Sequence, residues 1–272
     1  MKKTQISILL FFIFLILTPI RLFSQASGEA LYIKVDYMKA SPENISSYLE
    51  VEQELWKPIH QLRYDEGIIL GWRFYSVFVG EPDVPYNYIA VNYFDDFEKI
   101  DYYMLNDLVQ EVYPDKDLNE FYDQTRASRE VVRTEIWQIN GIIQDENQHL
   151  PLGNYITKNF FDARGGSGEH EDMELNFWGG IHEVRVAQQI LNSWAMYTLY
   201  YPAGDARHYT YSTVDYYDNL GDLTIGAGID LARIAHPDLD DNEINALFSR
   251  TADSRSLFKT EIWKLEDRVG KE

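Results

Sequence analysis

Residues 52–63 read EQELWKPIHQLR, and residues 174–185 read ELNFWGGIHEVR. Aligned without gaps, Glu52, Trp56, Ile59, His60 and Arg63 fall on Glu174, Trp178, Ile181, His182 and Arg185. At about 100° per residue on an α-helix, the Glu, Trp, His and Arg of each copy share an arc of roughly 80°, with the isoleucine on the same face. Each copy therefore carries one stripe apolar enough to pack inward, yet bearing an acid, an imidazole and a guanidinium. Lys57-Pro58 of the first copy stands where the second has Gly179-Gly180, so the two local backbones are expected to differ.

Outward from this stretch the duplication continues. Trp72 pairs with Trp194 and Trp137 with Trp263, so all six tryptophans have a counterpart. TEIW at Thr134–Trp137 recurs at Thr260–Trp263, PDKDLNE at Pro114–Glu120 matches PDLDDNE at Pro237–Glu243, and NYFDD at Asn92–Asp96 matches DYYDN at Asp215–Asn219. The offset drifts only from 122 to 126 residues, which marks an internal repeat. The first copy is expected over 30–140 and the second over 154–266. The polar link between them, 141–153, holds Pro151 and Gly153.

Each copy shows the same order of elements. A strand at Leu31–Met38 or Asn154–Phe161 leads into a helix at about Pro42–Asp65 or Glu171–Gln188. Ser41 before Pro42 is the expected N-cap of the first helix, whereas the second copy has the glycine-rich run Arg164–Asp172 as a loop. Strands follow at Gly71–Val79 and Tyr88–Phe94, matched by Ser193–Tyr201 and Tyr209–Tyr217. A helical region (Phe97–Ala127, Leu220–Thr251) and a last strand (Val131–Ile139, Leu257–Leu265) close each copy. This βαββαβ order predicts an α+β fold of two ferredoxin-like repeats. One such unit leaves a sheet face bare, and a second copy covers it if the two sheets pack face to face as a barrel with helices outside.

With its doubled W-x3-H-x2-R and TEIW segments and this element order, the chain resembles the dimeric α+β barrel superfamily, fused as a tandem pseudo-dimer, over about residues 30–266. The resemblance implies a monomer holding both halves of the barrel. It also implies sites between a helix and the sheet or inside the barrel. Members include cofactor-free monooxygenases, haem-degrading and haem-binding proteins, muconolactone-type isomerases and cyclases or dehydratases, and the fold does not choose among them.

The first 25 residues read as a secretory signal peptide: Lys2 and Lys3 precede an apolar run from Ile6 to Ile20, with cleavage expected near Ser24-Gln25-Ala26. A membrane anchor is the other reading, the run being at the short end for a span. The expected location is periplasmic or secreted. With no cysteine, the chain has neither disulfides nor a lipoprotein anchor. The net charge is −20, and removing the +3 of residues 1–25 leaves −23, which argues against nucleic acid and anionic membrane surfaces as partners.

His60 with Arg63 and Glu52, and His182 with Arg185 and Glu174, are the first candidates for chemistry, with Trp56 and Trp178 as walls. A histidine can move protons or ligate a metal or haem, and an arginine one turn away can hold a carboxylate or an enolate-like oxygen. The competing reading is a buried network in which these groups satisfy one another. Glu135 and Glu261 come second. In TEIW the glutamate shares a strand face with tryptophan, so it meets either the helix stripe or the barrel lumen; a salt bridge to an arginine or lysine on a neighbouring strand explains it better than catalysis does. Trp72 with Tyr75 and Trp194 with Tyr197 point to opposite faces and read as core or as stacking surfaces. Asp115, Asp117 and Asn119 open like a calcium loop, but Glu120 and Arg126 occupy the positions that need glycine and glutamate; Asp117 as an N-cap explains the run better. No histidine spacing suggests a metal site, and Gly226–Gly228 lacks the context of a dinucleotide fingerprint. The expected function is an exported small-molecule-binding protein, with isomerase- or monooxygenase-like proton transfer without a cofactor as the first chemistry. The alternatives are a non-catalytic binding or assembly module and a haem-binding protein.

Overall fold

A computed structural model describes residues 30–81, 83–101, 105–163, 167–204 and 208–271, together with the backbone of 20–24. The apolar run of the expected signal peptide up to residue 19 and its cleavage region at 25–29 lie outside the described residues. Between them, Ile20–Ser24 forms strand β1.

The remaining strands are β2 (Leu31–Lys39), β3 (Gly71–Val79), β4 (Tyr88–Phe94), β5 (Glu130–Asp145), β6 (Tyr155–Ala163), β7 (Ser193–Tyr201), β8 (Tyr211–Tyr217) and β9 (Arg255–Val269). They close into an eight-stranded antiparallel barrel in the order β2-β4-β3-β9-β6-β8-β7-β5, with β5 returning to β2. β1 lies along Gly141–Asp145 of β5. The registers repeat between halves: Lys34 lies opposite Asn92 in the first, and Thr157 opposite Asp215 in the second.

The last strand of each half is longer than its sequence suggested. β5 runs on to Asp145 and β9 to Val269. The cause is barrel closure. Gly141–Gln144 pair with β7, and Asp267–Val269 pair with β3, so these residues stitch one half to the other. Period-two alternation is imperfect because most strands are covered on both faces; β4 is buried at every residue. Ile33, Val35 and Tyr37 face the lumen cluster that spans both halves, while Met38 belongs to the helix-facing cluster of the first half.

Helices cover the outside. The first half has a 3-10 turn at Pro42–Asn44, α1 (Ile45–Glu50), a π-helical turn at Val51–Trp56, and α2 (Lys57–Asp65). α3 (Leu105–Val112) and α4 (Leu118–Ser128) precede β5. The second half repeats this with α5 (Ser167–Asp172), a π turn at Met173–Trp178, α6 (Gly179–Ala187), α7 (Ile229–Ala235) and α8 (Asp241–Ser254). The glycine-rich run read as a loop is thus helical from Ser167.

Ser41 precedes Pro42 but makes no side-chain cap hydrogen bond. Asp117 does cap α4, accepting from the backbone N–H of Asn119 and Glu120, and Asp240 forms a full capping box with Glu243. Despite Lys57-Pro58 against Gly179-Gly180, α2 and α6 span equivalent residues. What differs is the packing partner: a Cβ on Gly180 would lie 3.1 Å from His236 Cε1, so glycine there lets the segment after α7 approach α6. No helix among the described residues is long and apolar enough to cross a membrane.

Candidate ligand clefts between helix and sheet

The π turn places the polar stripe. It sits at the same position in both halves and ends on Trp56 or Trp178, and such turns frequently mark functional positions. Ile59 and Ile181 are fully buried and pin the following helix to the sheet. Trp56 Nε1 donates to Thr125 Oγ1 (3.1 Å), and Trp178 Nε1 donates to Thr251 Oγ1 (3.0 Å), which ties each tryptophan to the last helix of its half.

The histidines follow one plan. His60 stacks on Trp72 with centroids 4.8 Å apart, and His182 stacks on Trp194 at the same 4.8 Å. Arg63 Nη1 donates to His60 Nδ1 at 3.1 Å, and Arg185 Nη1 donates to His182 Nδ1 at 3.1 Å. A guanidinium has no acceptor, so Nδ1 must be the acceptor and the ring proton sits on Nε2. Burial and the adjacent arginine hold both imidazoles neutral: His60 is pushed well below its usual value, and His182 falls to about 4. Neither Nε2 has a hydrogen-bond partner among the described residues, and neither is sealed from solvent. Each histidine thus presents a neutral N–H donor, which polarises an oxygen and does not abstract a proton.

Each stripe opens onto a cavity. The first, about 220 Å³, is lined by Glu52, Trp56, His60 and Arg63 with Asn92 and Arg129. The second, about 330 Å³, is lined by Glu174, Trp178, His182 and Arg185 with Asp215 and Arg255. The stripe residues expected from sequence are therefore brought together in both halves. Glu52 is buried, which lifts its carboxyl to about 7 against the opposing pull of Arg129. That value suits a group that must give and take a proton near neutrality.

Arg129 and Arg255 were missed, although the sequence repeats them: Thr125, Ser128 and Arg129 match Thr251, Ser254 and Arg255 as T-x2-S-R. Asn92 and Asp215 lay within a matched run but were not read as site residues. Both pairs reach the cleft from β4, β8 and the starts of the last strands, far in sequence from the helix stripe.

Glu135 and Glu261 are not part of these clefts. They face the lumen, on the opposite side of the sheet. Glu135 accepts from Tyr37 OH (2.7 Å), Trp137 Nε1 (3.1 Å) and Tyr209 OH. Glu261 accepts from Tyr86 OH (2.7 Å), Lys259 Nζ (2.6 Å) and Trp263 Nε1 (2.8 Å). Each acid is bonded by a tyrosine of the other half, so the pair fastens the halves together. Tyr75 and Tyr197 face the same lumen, while Trp72 and Trp194 face the helices.

No group of three or more metal-ligating side chains occurs among the described residues. Haem fits neither histidine as placed. Ligation through Nε2 puts the ring proton on Nδ1, where it would face a guanidinium that only donates, whereas ligating histidines give that proton to an acceptor.

No family model and no curated protein matches the chain. Solved structures do. A candidate monooxygenase from Fusobacterium nucleatum superposes with a TM-score of 0.52 at 10% identity, over 90% of this chain and 96% of that one. An anthrone oxidase-like protein gives 0.47 at 12% identity, over 92% and 96%. A candidate monooxygenase from Lactobacillus acidophilus gives 0.46 at 9% identity, over 88% and 94%. The first of these, at 10% identity, bears on architecture alone. The chain has the dimeric α+β barrel fold, carried within a single polypeptide.

Proposed function

We propose that the protein binds a small molecule in the helix–sheet clefts, as two ferredoxin-like repeats fused into a monomeric pseudo-dimer. The observation that carries this is the recurrence, in both halves, of one arrangement opening onto a cavity: an imidazole stacked on tryptophan, its Nδ1 held by arginine, its Nε2–H free. A stripe serving only to hold the fold together has no need of that free donor or of the space beside it. In the first cleft the chemistry on offer is cofactor-free proton transfer. Glu52 carries the proton, and His60 Nε2–H and Arg63 stabilise a developing oxyanion. Histidine as the proton carrier gives way to glutamate on this reading. The name of the Fusobacterium neighbour points toward oxidation, for which the same enolate-stabilising set serves equally.

The test is a thermal-shift screen of small aromatic and carboxylate compounds against the wild type and a His60→Ala/His182→Ala double variant. At least one compound should raise the wild-type Tm by several degrees and leave the double variant unmoved. If no compound does so, and each alanine variant alone loses several kcal/mol of stability, the stripe is a structural network and the binding reading fails. We further propose export to the periplasm or beyond, with residues 1–25 removed. N-terminal sequencing of the exported protein should then begin near Ala26, and recovery of intact Met1 would refute it.

A further inference from the structure

The two clefts share a plan but differ in how their arginines are satisfied. In the second, Arg185 donates to Asp215 Oδ2 (3.1 Å) and to Tyr217 OH (3.1 Å) besides His182. Arg255 is ion-paired to Glu174. Both guanidinium charges are thus answered from within.

In the first cleft Glu52, the counterpart of Glu174, is retained and is attracted to Arg129, but the acceptors that answer Arg185 are replaced. Asn92 replaces Asp215, so Arg63 Nη1 meets a neutral amide oxygen at 3.1 Å and a neutral imidazole. Phe94 stands where the second half has Tyr217, which removes the hydroxyl partner. Among the described residues neither Arg63 nor Arg129 has a carboxylate within ion-pair distance, whereas Arg185 and Arg255 each have one; a buried Nε without a partner is common to Arg129 and Arg185 and does not separate the clefts. Lys34 stands where the second half has Thr157, and is paired to Asp36 at 2.9 Å. The formal charge of the lining is +1 in the first cleft, from Lys34, Arg63 and Arg129 against Asp36 and Glu52. It is zero in the second, from Arg185 and Arg255 against Glu174 and Asp215.

We propose that the clefts have divided their roles: the first binds a small planar carboxylate on Arg63 and Arg129, and the second, neutralised by Asp215 and Glu174, does not accept an anion. This rests on the reading of the clefts as ligand sites. The carboxylate supplies the anionic acceptor that Asp215 supplies in the other half, and the Trp56 wall takes the flat body. A half-buried guanidinium without an ion pair is only partly satisfied, so the free energy of binding comes from meeting that need.

The probes are benzoate and its neutral isostere benzamide, titrated by calorimetry into the full-length mature protein, with Asn92→Asp and Asp215→Asn as variants. Benzoate should bind the wild type at one site, at least tenfold tighter than benzamide. Asn92→Asp, which installs the second half's chemistry in the first, should weaken benzoate tenfold or more. Asp215→Asn should raise the stoichiometry from one toward two, a gain that misfolding cannot mimic. Two equivalent benzoate sites in the wild type, or equal affinity for the two probes, overturns the division while leaving the cleft reading intact. Failure of both probes to bind at millimolar concentration overturns the division, and the thermal-shift screen then decides the fate of the clefts as ligand sites separately.

Discussion

Glu261→Leu is expected to destabilise the protein by about 3–5 kcal/mol, the usual cost of breaking a buried pair from one side. The carboxylate is fully buried and accepts from Tyr86, Lys259 and Trp263. Its loss strands three donors, of which the Lys259 ammonium is the most costly, since that side chain is only 6% exposed. In a fold of this size the same loss lowers Tm by roughly 6–20 °C. The double variant Lys259→Met/Glu261→Leu should recover much of it, because replacing both partners with apolar groups leaves no orphaned charge. Urea unfolding at pH 7 measures both. A single-variant loss under 1 kcal/mol would show that the lumen acids are dispensable.

Lys158→Met is expected to act in the opposite direction, stabilising by about 2–4 kcal/mol at pH 6. The Lys158 ammonium sits in the lumen among rings, 4.6 Å from the centre of Trp137, 5.0 Å from Tyr197 and 5.7 Å from Trp263. It has no ion-pair partner among the described residues. Burial pushes its pKa down to about 7, against the attraction of Glu135 and Glu261 and with the repulsion of Lys259 and Arg133. Between about pH 7 and the unfolded value of 10.5 the unfolded chain binds the extra proton, so wild-type stability rises with pH across that window. Below pH 7 the full penalty stands. The methionine variant has no such dependence, so its advantage should be largest at pH 6 and shrink by pH 9. A variant less stable than the wild type at pH 6 would mean that the cation–π contacts outweigh the burial cost.

Much of the architecture was legible because the chain can be compared with itself. The bounds of β3, β4 and β7 were readable from apolar runs closed by polar or glycine-bearing turns. β5 and β9 overran their expected ends because Gly141–Gln144 pair with β7 and β1, and Asp267–Val269 with β3, all distant in sequence, and local pattern carries no record of a partner. The stripe from Glu52 to Arg63 stood out as a candidate because two copies retained it, and its residues do line one cavity. The π turns were invisible: the extra residue in the turn rotates Glu52 and Glu174 relative to the histidines, and an α-helical spacing rule carries no sign of it. Alternation placed Glu135 with Trp137 on one strand face, but which face is interior is settled only when the barrel closes. The histidine's role as donor depends on where Arg63 Nη1 lies, and no spacing rule reaches that far.

The crossed tyrosines have a bearing on how this chain can change over generations. Tyr86 answers an acid encoded 175 positions later, and Tyr209 one encoded 74 positions earlier. Neither half contains the complete surroundings of its own lumen carboxylate. A gene split between the halves would yield two products whose lumen acids each lack one tyrosine, Tyr209 for Glu135 and Tyr86 for Glu261, so that each folds best in the other's company. The halves are thereby bound to a common inheritance: a substitution at Tyr86 is felt at Glu261, and the clefts outside remain free to diverge while the lumen keeps the two copies in step.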